Sequence, residues 1–445
     1  MKTALYFMAA LILAALPVRA ANPHDAGAVG PMGGVEHLLP RTGPIYGQAR
    51  FMVVSDPHII SPTLWSEGPA FEKLLSNTDG KLIREAAEVL DALRRAVRRE
   101  RPDFLLVAGD LTFNGARVSH EFLAGALARI EAAGVPVYVV PGNHDVSNPW
   151  ARRYTGAEPR TVGHVGPGQF REIYAEFGYE EAASTDNGSL GYLLEAAPGL
   201  DLAMIDSNRY ERNFDRGYPE SRGAISRSQA RWLEEELAAA RGRGRAVLPV
   251  MHHSLLSHRS GGGGRPFGAS WIDMWPRFAR LFWEEGAPVV FSGHAHEQDI
   301  AGLRGEDGEW LYDVATGSLA SYPHPYRMVT ITAEQRLEVR SATLSAVDFT
   351  ASADDTSRGD AFLARSRRRY IARFVVRLAP RLRERDGLRA EAARDRARRI
   401  AESLLDGSYR EDPPPGVNNI TVDLVTGRWT AAECAGRGLA AFACP

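Results

Sequence analysis

The chain has 445 residues, with 53 basic and 55 acidic side chains and a formal net charge of −2. That length is too great for one small domain and fits a large domain with a smaller companion. The near-neutral balance excludes a global field that would select a charged partner.

The first twenty residues read as an export signal: Lys2 opens a short positive start, residues 4–16 are apolar, and Val18-Arg19-Ala20 is a small-residue cleavage pattern. The apolar run is short for a membrane span and has no stop-transfer flank, so a retained anchor is the weaker reading. Residues 21–48 are rich in Gly and Pro and read as a loose leader. From residue 50 apolar runs alternate with helical stretches. Residues 51–55, 104–108 and 135–140 suit buried strands, and residues 81–99 and 117–133 carry the apolar spacing of helices. Further strands are expected at 202–205, 247–251 and 289–291. Helices are expected at 226–241, with Ser226 or Ser228 as N-cap, and at 271–285. Residues 310–314, 327–332 and 337–339 are spaced like antiparallel strands. The alternation predicts an α/β layered domain over residues 49–345.

From 346 to 445 the texture changes. Residues 360–405 are helical and thick with arginine, Pro380 and Gly387 are expected to break them into two helices, and Pro413-Pro414-Pro415 ends the helical region. Acids such as Glu384, Asp386, Glu391 and Asp395 are interleaved, and no aromatic stacking pattern or nucleic-acid motif accompanies them. A solvated helical extension is the simplest reading; a border to the functional site is another. The only cysteines, Cys434 and Cys444, could close a small loop in an oxidising compartment.

Five short motifs each follow an apolar run: Asp56-Pro57-His58, Gly109-Asp110, Gly142-Asn143-His144-Asp145, His252-His253 and Gly293-His294-Ala295-His296. Half of the twelve histidines fall in them. Each alone reads as a turn. Together they gather carboxylate oxygens, an amide oxygen and imidazole nitrogens at the carboxyl ends of strands, where α/β sheets collect ligands. That donor set suits divalent transition metals such as Mn, Fe, Co or Zn.

In order and placement the motifs resemble those of the calcineurin-like metallophosphoesterase superfamily, over residues 50–344. The resemblance implies two facing mixed β-sheets flanked by helices, here with a small C-terminal helical domain. It also implies two divalent transition metal ions. Asp56, His58, Asp110 and His296 would hold one, and Asp110, Asn143, His252 and His294 the other, with Asp110 as bridge. A hydroxide between the ions would attack phosphorus while His144 protonates the leaving group and Asp145 orients the His144 ring. His253, beside His252, is the alternative ligand in the fourth motif. Phe113 stands where purple acid phosphatases place a ligating tyrosine, which argues against that subfamily. The motif forms look most like exported bacterial cyclic-nucleotide phosphodiesterase-type members. The expectation is therefore an exported hydrolase of small phosphodiesters with no stable membrane anchor. A phosphomonoesterase or phospholipid headgroup hydrolase is the alternative, and a non-catalytic scaffold the weakest one. The glycine run at 260–265 could form a rim over the substrate, His258 could line the cleft, and Asn114 could touch substrate.

Overall fold

Both faces of the first strand, β1 (Ala49–Val54), are buried, and this sets the layering. Phe51 and Val53 pack with Phe104, Leu106, Leu202, Met204, Val250 and Phe291, on strands of two sheets. Met52 and Val54 point the other way, into a cluster with Leu93, Val97, Leu123 and Leu127 on helices. Side chains that alternate between two apolar environments read in sequence as an unbroken apolar run.

The computed structural model describes residues 43–78, 80–258, 271–304, 310–350, 356–406, 420–424 and 429–431. The expected signal, most of the leader, the glycine run, Pro413-Pro414-Pro415 and both cysteines lie outside these residues. After β1 come α1 (Pro69–Leu75), α2 (Ala86–Glu100), β2 (Leu105–Ala108), α3 (Arg117–Glu131) and β3 (Val137–Val140). A small hairpin, β4 (Arg152–Arg153) and β5 (Arg160–Thr161), leads to α4 (Pro167–Ile173), β6 (Ser184–Thr185), β7 (Tyr192–Ala197) and β8 (Leu200–Ile205). Next are α5 (Asn213–Arg216), α6 (Arg227–Gly242), β9 (Ala246–Met251), α7 (Trp275–Glu284) and β10 (Val289–Ser292). Four strands follow: β11 (Asp299–Arg304), β12 (Trp310–Ala315), β13 (Pro325–Ile331) and β14 (Arg336–Thr343). The last described elements are α8 (Ser357–Asp386), α9 (Ala390–Asp406), β15 (Ile420–Asp423) and β16 (Trp429–Ala431).

Among the described residues two seven-stranded sheets result, ordered β16-β15-β14-β13-β1-β2-β3 and β11-β12-β10-β9-β8-β7-β6. Each is mixed. Strands β1, β2 and β3 are parallel in one, and β8, β9, β10 and β12 in the other. Helices α2 and α3 cover the outer face of the first sheet, and α6 and α7 that of the second. The architecture is the expected one of two facing mixed sheets between helices.

Several local expectations change. The helix expected at 81–99 begins at Ala86, because Gly80 turns at φ +89° and the Leu82 N–H is drawn to the Ala320 carbonyl at 2.8 Å. Ser226, not Ser228, caps α6, accepting from Gln229 N at 3.1 Å. The strand at 310–314 is only half antiparallel, since β12 runs parallel to β10 and antiparallel to β11. Helix α8 passes through Pro380 and breaks only at Gly387, which adopts φ +65°. The region from 346 onward is not helical throughout: β15 pairs with β14, Leu337 opposite Val422, so the chain returns to the first sheet.

Candidate metal centre

The five motifs meet at one edge because β1, β2, β3, β9 and β10 all end there. Main-chain bonds stitch the loops: Asp56 N to Gly109 O at 3.1 Å, His58 N to Asp110 O at 3.0 Å, and Gly293 N to His252 O at 2.9 Å. Gly142 passes so close to the second motif that a Cβ there would stand 2.0 Å from the Asp110 nitrogen. Gly109, at φ +81°, lies flat against the His252 ring.

Asp56 shows how a ligand atom is aimed. Its Oδ2 accepts from His294 N at 2.9 Å and lies 2.5 Å from Ser55 Oγ. Its Oδ1 is buried without a hydrogen bond, although His296 Nε2 lies 3.1 Å away. His58 Nε2 stands 3.0 Å from His296 Nε2, 3.7 Å from Asp56 Oδ1 and 3.6 Å from Asp110 Oδ2. Four donor atoms from Asp56, His58, Asp110 and His296 thus converge. Around an ion with bonds of about 2.1 Å, tetrahedral ligands stand about 3.4 Å apart, so the spacing fits.

A second convergence lies beside it. His252 Nε2 is 3.5 Å from Asp110 Oδ1, 3.2 Å from Asn143 Oδ1 and 3.2 Å from His294 Nδ1. Asp110 therefore turns one oxygen to each group. His253 belongs to this neighbourhood as well, its ring 4.3 Å from that of His294, but its Nδ1 is engaged with Ser207 Oγ at 2.9 Å. His252 faces Asp110 and Asn143, while His253 keeps a buried Nε2 without a hydrogen bond and offers a nitrogen near those of His252 and His294.

Electrostatics matches a cation site. Burial opposes charge on Asp56 and Asp110, yet the surrounding imidazoles hold both carboxyls below their ordinary range, Asp110 well below. Burial keeps His58 well below its usual value and pushes His294 down to about 3, while the Asp110 charge lifts His252 to about 9 against burial. Neutral imidazoles with nitrogens 3.0 Å apart repel unless a proton or a cation lies between them. Backbone strain concentrates here too. Asp56, His58, Asp110, His294 and His296 are half of the ten non-glycine residues with positive φ among those described. Such conformations cost about 1–3 kcal/mol each and persist where function over-determines them. The residues present fit divalent cations.

His144 and Asp145 behave differently from one another. The His144 ring lies edge-on to His58 at 4.9 Å, with Nε2 4.0 Å from Asp110 Oδ2 and its side chain 23% exposed. Its partner is not Asp145. His144 Nδ1 lies 2.5 Å from the Phe113 carbonyl oxygen. Asp145 instead accepts from Leu111 N, Thr112 N, Thr112 Oγ1 and Gly142 N at 2.8–2.9 Å, tying the second motif to the third. Burial and the nearby Asp110 charge push its carboxyl up to about 7 against those four donors. The sequence gives no sign of the Phe113 contact, because any residue supplies a carbonyl. His258 does not line the cleft either: its buried ring lies between Asp299, at 2.9 Å, and Asp313, at 3.3 Å. Asn114 donates to Tyr154 Oη at 3.2 Å.

The family model for calcineurin-like phosphoesterases matches residues 49–298, more than half of the chain. This chain belongs to the calcineurin-like phosphoesterase family. The family is one of phosphoester hydrolases, and its metal-binding character agrees with the His/Asp cluster. A probable cyclic nucleotide phosphodiesterase of Psychrobacter sp. is 24% identical over 211 residues, 46% of this chain and 50% of its own length. The chain thus spans half the length of that curated relative. Among solved structures, a dimetal phosphatase from Danio rerio is 16% identical with a TM-score of 0.44, covering 68% of this chain and 100% of its own. A purple acid phosphatase from yellow lupin is 12% identical with a TM-score of 0.41, covering 68% of this chain and 53% of its own.

Proposed function

We propose that this calcineurin-like phosphoesterase is a dinuclear metal-dependent phosphodiesterase whose substrates are small phosphodiesters, cyclic nucleotides among them. One observation carries the dinuclear reading: the two oxygens of Asp110 face separate donor groups, Oδ2 toward His58 and Oδ1 toward His252. Asp56, His58, Asp110 and His296 would hold one ion, and Asp110, Asn143, His252 and His294 the other. Two doubly charged ions against two carboxylates leave a positive centre suited to a phosphoryl group. Bound divalent cations would supply Lewis acidity and make water acidic enough to attack near neutral pH. The chain's own contribution is the proton. Burial holds His144 below its ordinary range, so its ring, with Nδ1–H held by the Phe113 carbonyl, would take up a proton at Nε2, on the cleft side, and pass it to the leaving oxygen as the ester bond breaks.

The lean toward diesters is supported by the motif forms and by the likeness to the Psychrobacter protein. Export belongs to the same proposal, resting on the pattern of residues 1–20, and would place the enzyme where nucleotides are scavenged. Among the described residues no helix is long and apolar enough to cross a membrane. The test is turnover of bis(p-nitrophenyl) phosphate against p-nitrophenyl phosphate, on metal-stripped protein resupplied with Mn²⁺ or Zn²⁺. Metal-dependent preference for the diester is expected. Preference for the monoester would make the protein a phosphatase, and silence with every metal would make it a scaffold.

A further inference from the structure

His120, in the first turn of α3, is fully buried, and its ring meets the third motif through the main chain. Its Nε2 lies 3.1 Å from the Asp145 carbonyl oxygen and 3.4 Å from Thr112 Oγ1. Its Nδ1 lies 2.9 Å from the hydroxyl of Tyr174, itself fully buried. The protons on this ring can be placed. The Asp145 carbonyl only accepts, and Thr112 Oγ1 spends its own hydrogen on Asp145 Oδ1 at 2.9 Å, so Nε2 carries the ring proton. Nδ1 is then the acceptor and takes the Tyr174 hydroxyl proton. Burial pushes the ring down to about 3 against the pull of the Asp145 carbonyl, so this neutral form holds around neutral pH. Phe170 and Tyr174 close on the ring edge-on, at 5.9 and 5.7 Å.

The preceding carbonyl is held in the same way. Asn148, also fully buried, donates from Nδ2 to His144 O at 2.9 Å, and its Oδ1 accepts from Trp150 N at 2.9 Å. Gly115 presses on both carbonyls, since a Cβ there would stand 2.7 Å from Asp145 O and 3.0 Å from His144 O. The two peptides that follow the His144 Cα are therefore gripped by two buried side chains and a glycine. A rotation of these peptides would carry the imidazole with it, and a misplacement of about 1 Å can cost about a hundredfold in rate.

We propose that His120 is a positioning residue for proton transfer by His144: its Nε2–H, backed by the Tyr174 hydroxyl, fixes the Asp145 peptide and, with Asn148, sets where the His144 ring stands. The inference rests on the reading of His144 as the acid that protonates the leaving group.

The experiment uses the full chain loaded with Mn²⁺ and sets an alkoxide against a phenolate leaving group. The pair is cyclic AMP with bis(p-nitrophenyl) phosphate, or β-glycerophosphate with p-nitrophenyl phosphate if the wild type prefers monoesters. His120→Gln keeps a donor near the Nε2 position, whereas His120→Asn places it near Nδ1, short of Asp145. His120→Asn should lower kcat about ten- to a hundredfold for the alkoxide ester and less than about threefold for the phenolate ester. Metal content should stay at the wild-type level. His120→Gln should recover most of the loss, although both variants give up the imidazole. Asn148→Ala should show the same bias through the neighbouring carbonyl. Equal losses for both leaving groups, a loss that tracks metal content, or His120→Gln no better than His120→Asn would overturn the proposal while leaving the phosphodiesterase reading intact. If the wild type turns over neither pair, or His144→Asn shows no leaving-group bias, the acid reading of His144 fails, and NMR decides for His120. The His144 Nδ1–H resonance, held by the Phe113 carbonyl, should shift or broaden in His120→Asn and persist in His120→Gln. An unchanged resonance in both refutes the positioning role.

Discussion

The Nδ1 atom of His144 lies 2.5 Å from the carbonyl oxygen of Phe113. A carbonyl can only accept, so Nδ1 carries the proton and Nε2 is the nitrogen turned toward Asp110 and the cleft. The ring is thereby prepared to exchange a proton at one stated atom.

His144→Asn should therefore lower kcat about a hundred- to ten-thousand-fold for esters with alkoxide leaving groups. The loss should be far smaller for p-nitrophenolate, which departs without a proton. Metal content should stay at the wild-type level. Equal losses for both leaving groups would remove His144 from the role of acid.

The two-sided Asp110 predicts an unequal response to ligand removal, read by elemental analysis of purified variants. Asp110→Ala should lose both ions, and Asn143→Ala should weaken one. His252→Ala should lower metal content and turnover more than His253→Ala, because His252 Nε2 faces both Asp110 and Asn143. The reverse order would exchange their roles.

Asp145→Asn is expected to act through stability. An amide keeps one acceptor oxygen where the carboxylate serves four donors, leaving two buried N–H groups unsatisfied. The cost should be about 3 kcal/mol, at about 1–3 kcal/mol per orphaned group. Denaturant melts should show it. A stable Asp145→Asn with much reduced kcat would instead return Asp145 to direct catalysis.

Stability should fall on both sides of neutrality, for opposite reasons. Burial lowers His258, but Asp313 and Asp299 more than offset this and raise it to about 10, so the folded state keeps a proton that the unfolded chain releases near 6.5. That contribution is complete below about 6.5 and fades as pH rises toward 10. Burial holds His324 down to about 4 and His120 to about 3, so there the unfolded chain takes up protons first and stability drops as pH falls from about 6.5. His258→Gln should flatten the alkaline limb of a Tm–pH curve and leave the acid limb in place. An unchanged alkaline limb would show that the Asp299–His258–Asp313 group does not govern it.

The layered core was legible because β1, β2 and β3 are buried on both faces and leave an unbroken apolar signal. The motif side chains were legible as donors for the same reason that they cluster: each sits just past such a run. What escaped was set by the main chain or by distant partners. Asp145 reads as a partner for its neighbour His144, yet the amides of Leu111, Thr112 and Gly142 claim its carboxylate. The start of α2 depends on Ala320, more than two hundred residues away. Pro380 sits in α8, whose neighbour α9 packs against it through Ala379, Leu382, Ala393 and Ala397, so tertiary packing outweighs a local breaker.

The return of β15 to β14 also governs when the protein can fold. The first sheet begins with a strand near residue 50, gains its antiparallel partner β13 some 280 residues later, and receives β15 and β16 only after residue 419. Until residues 420–423 are made, β14 lacks this neighbour and has an open edge, a template for pairing with other chains. Truncation after α9 should therefore yield a protein that aggregates before it loses its active-site chemistry.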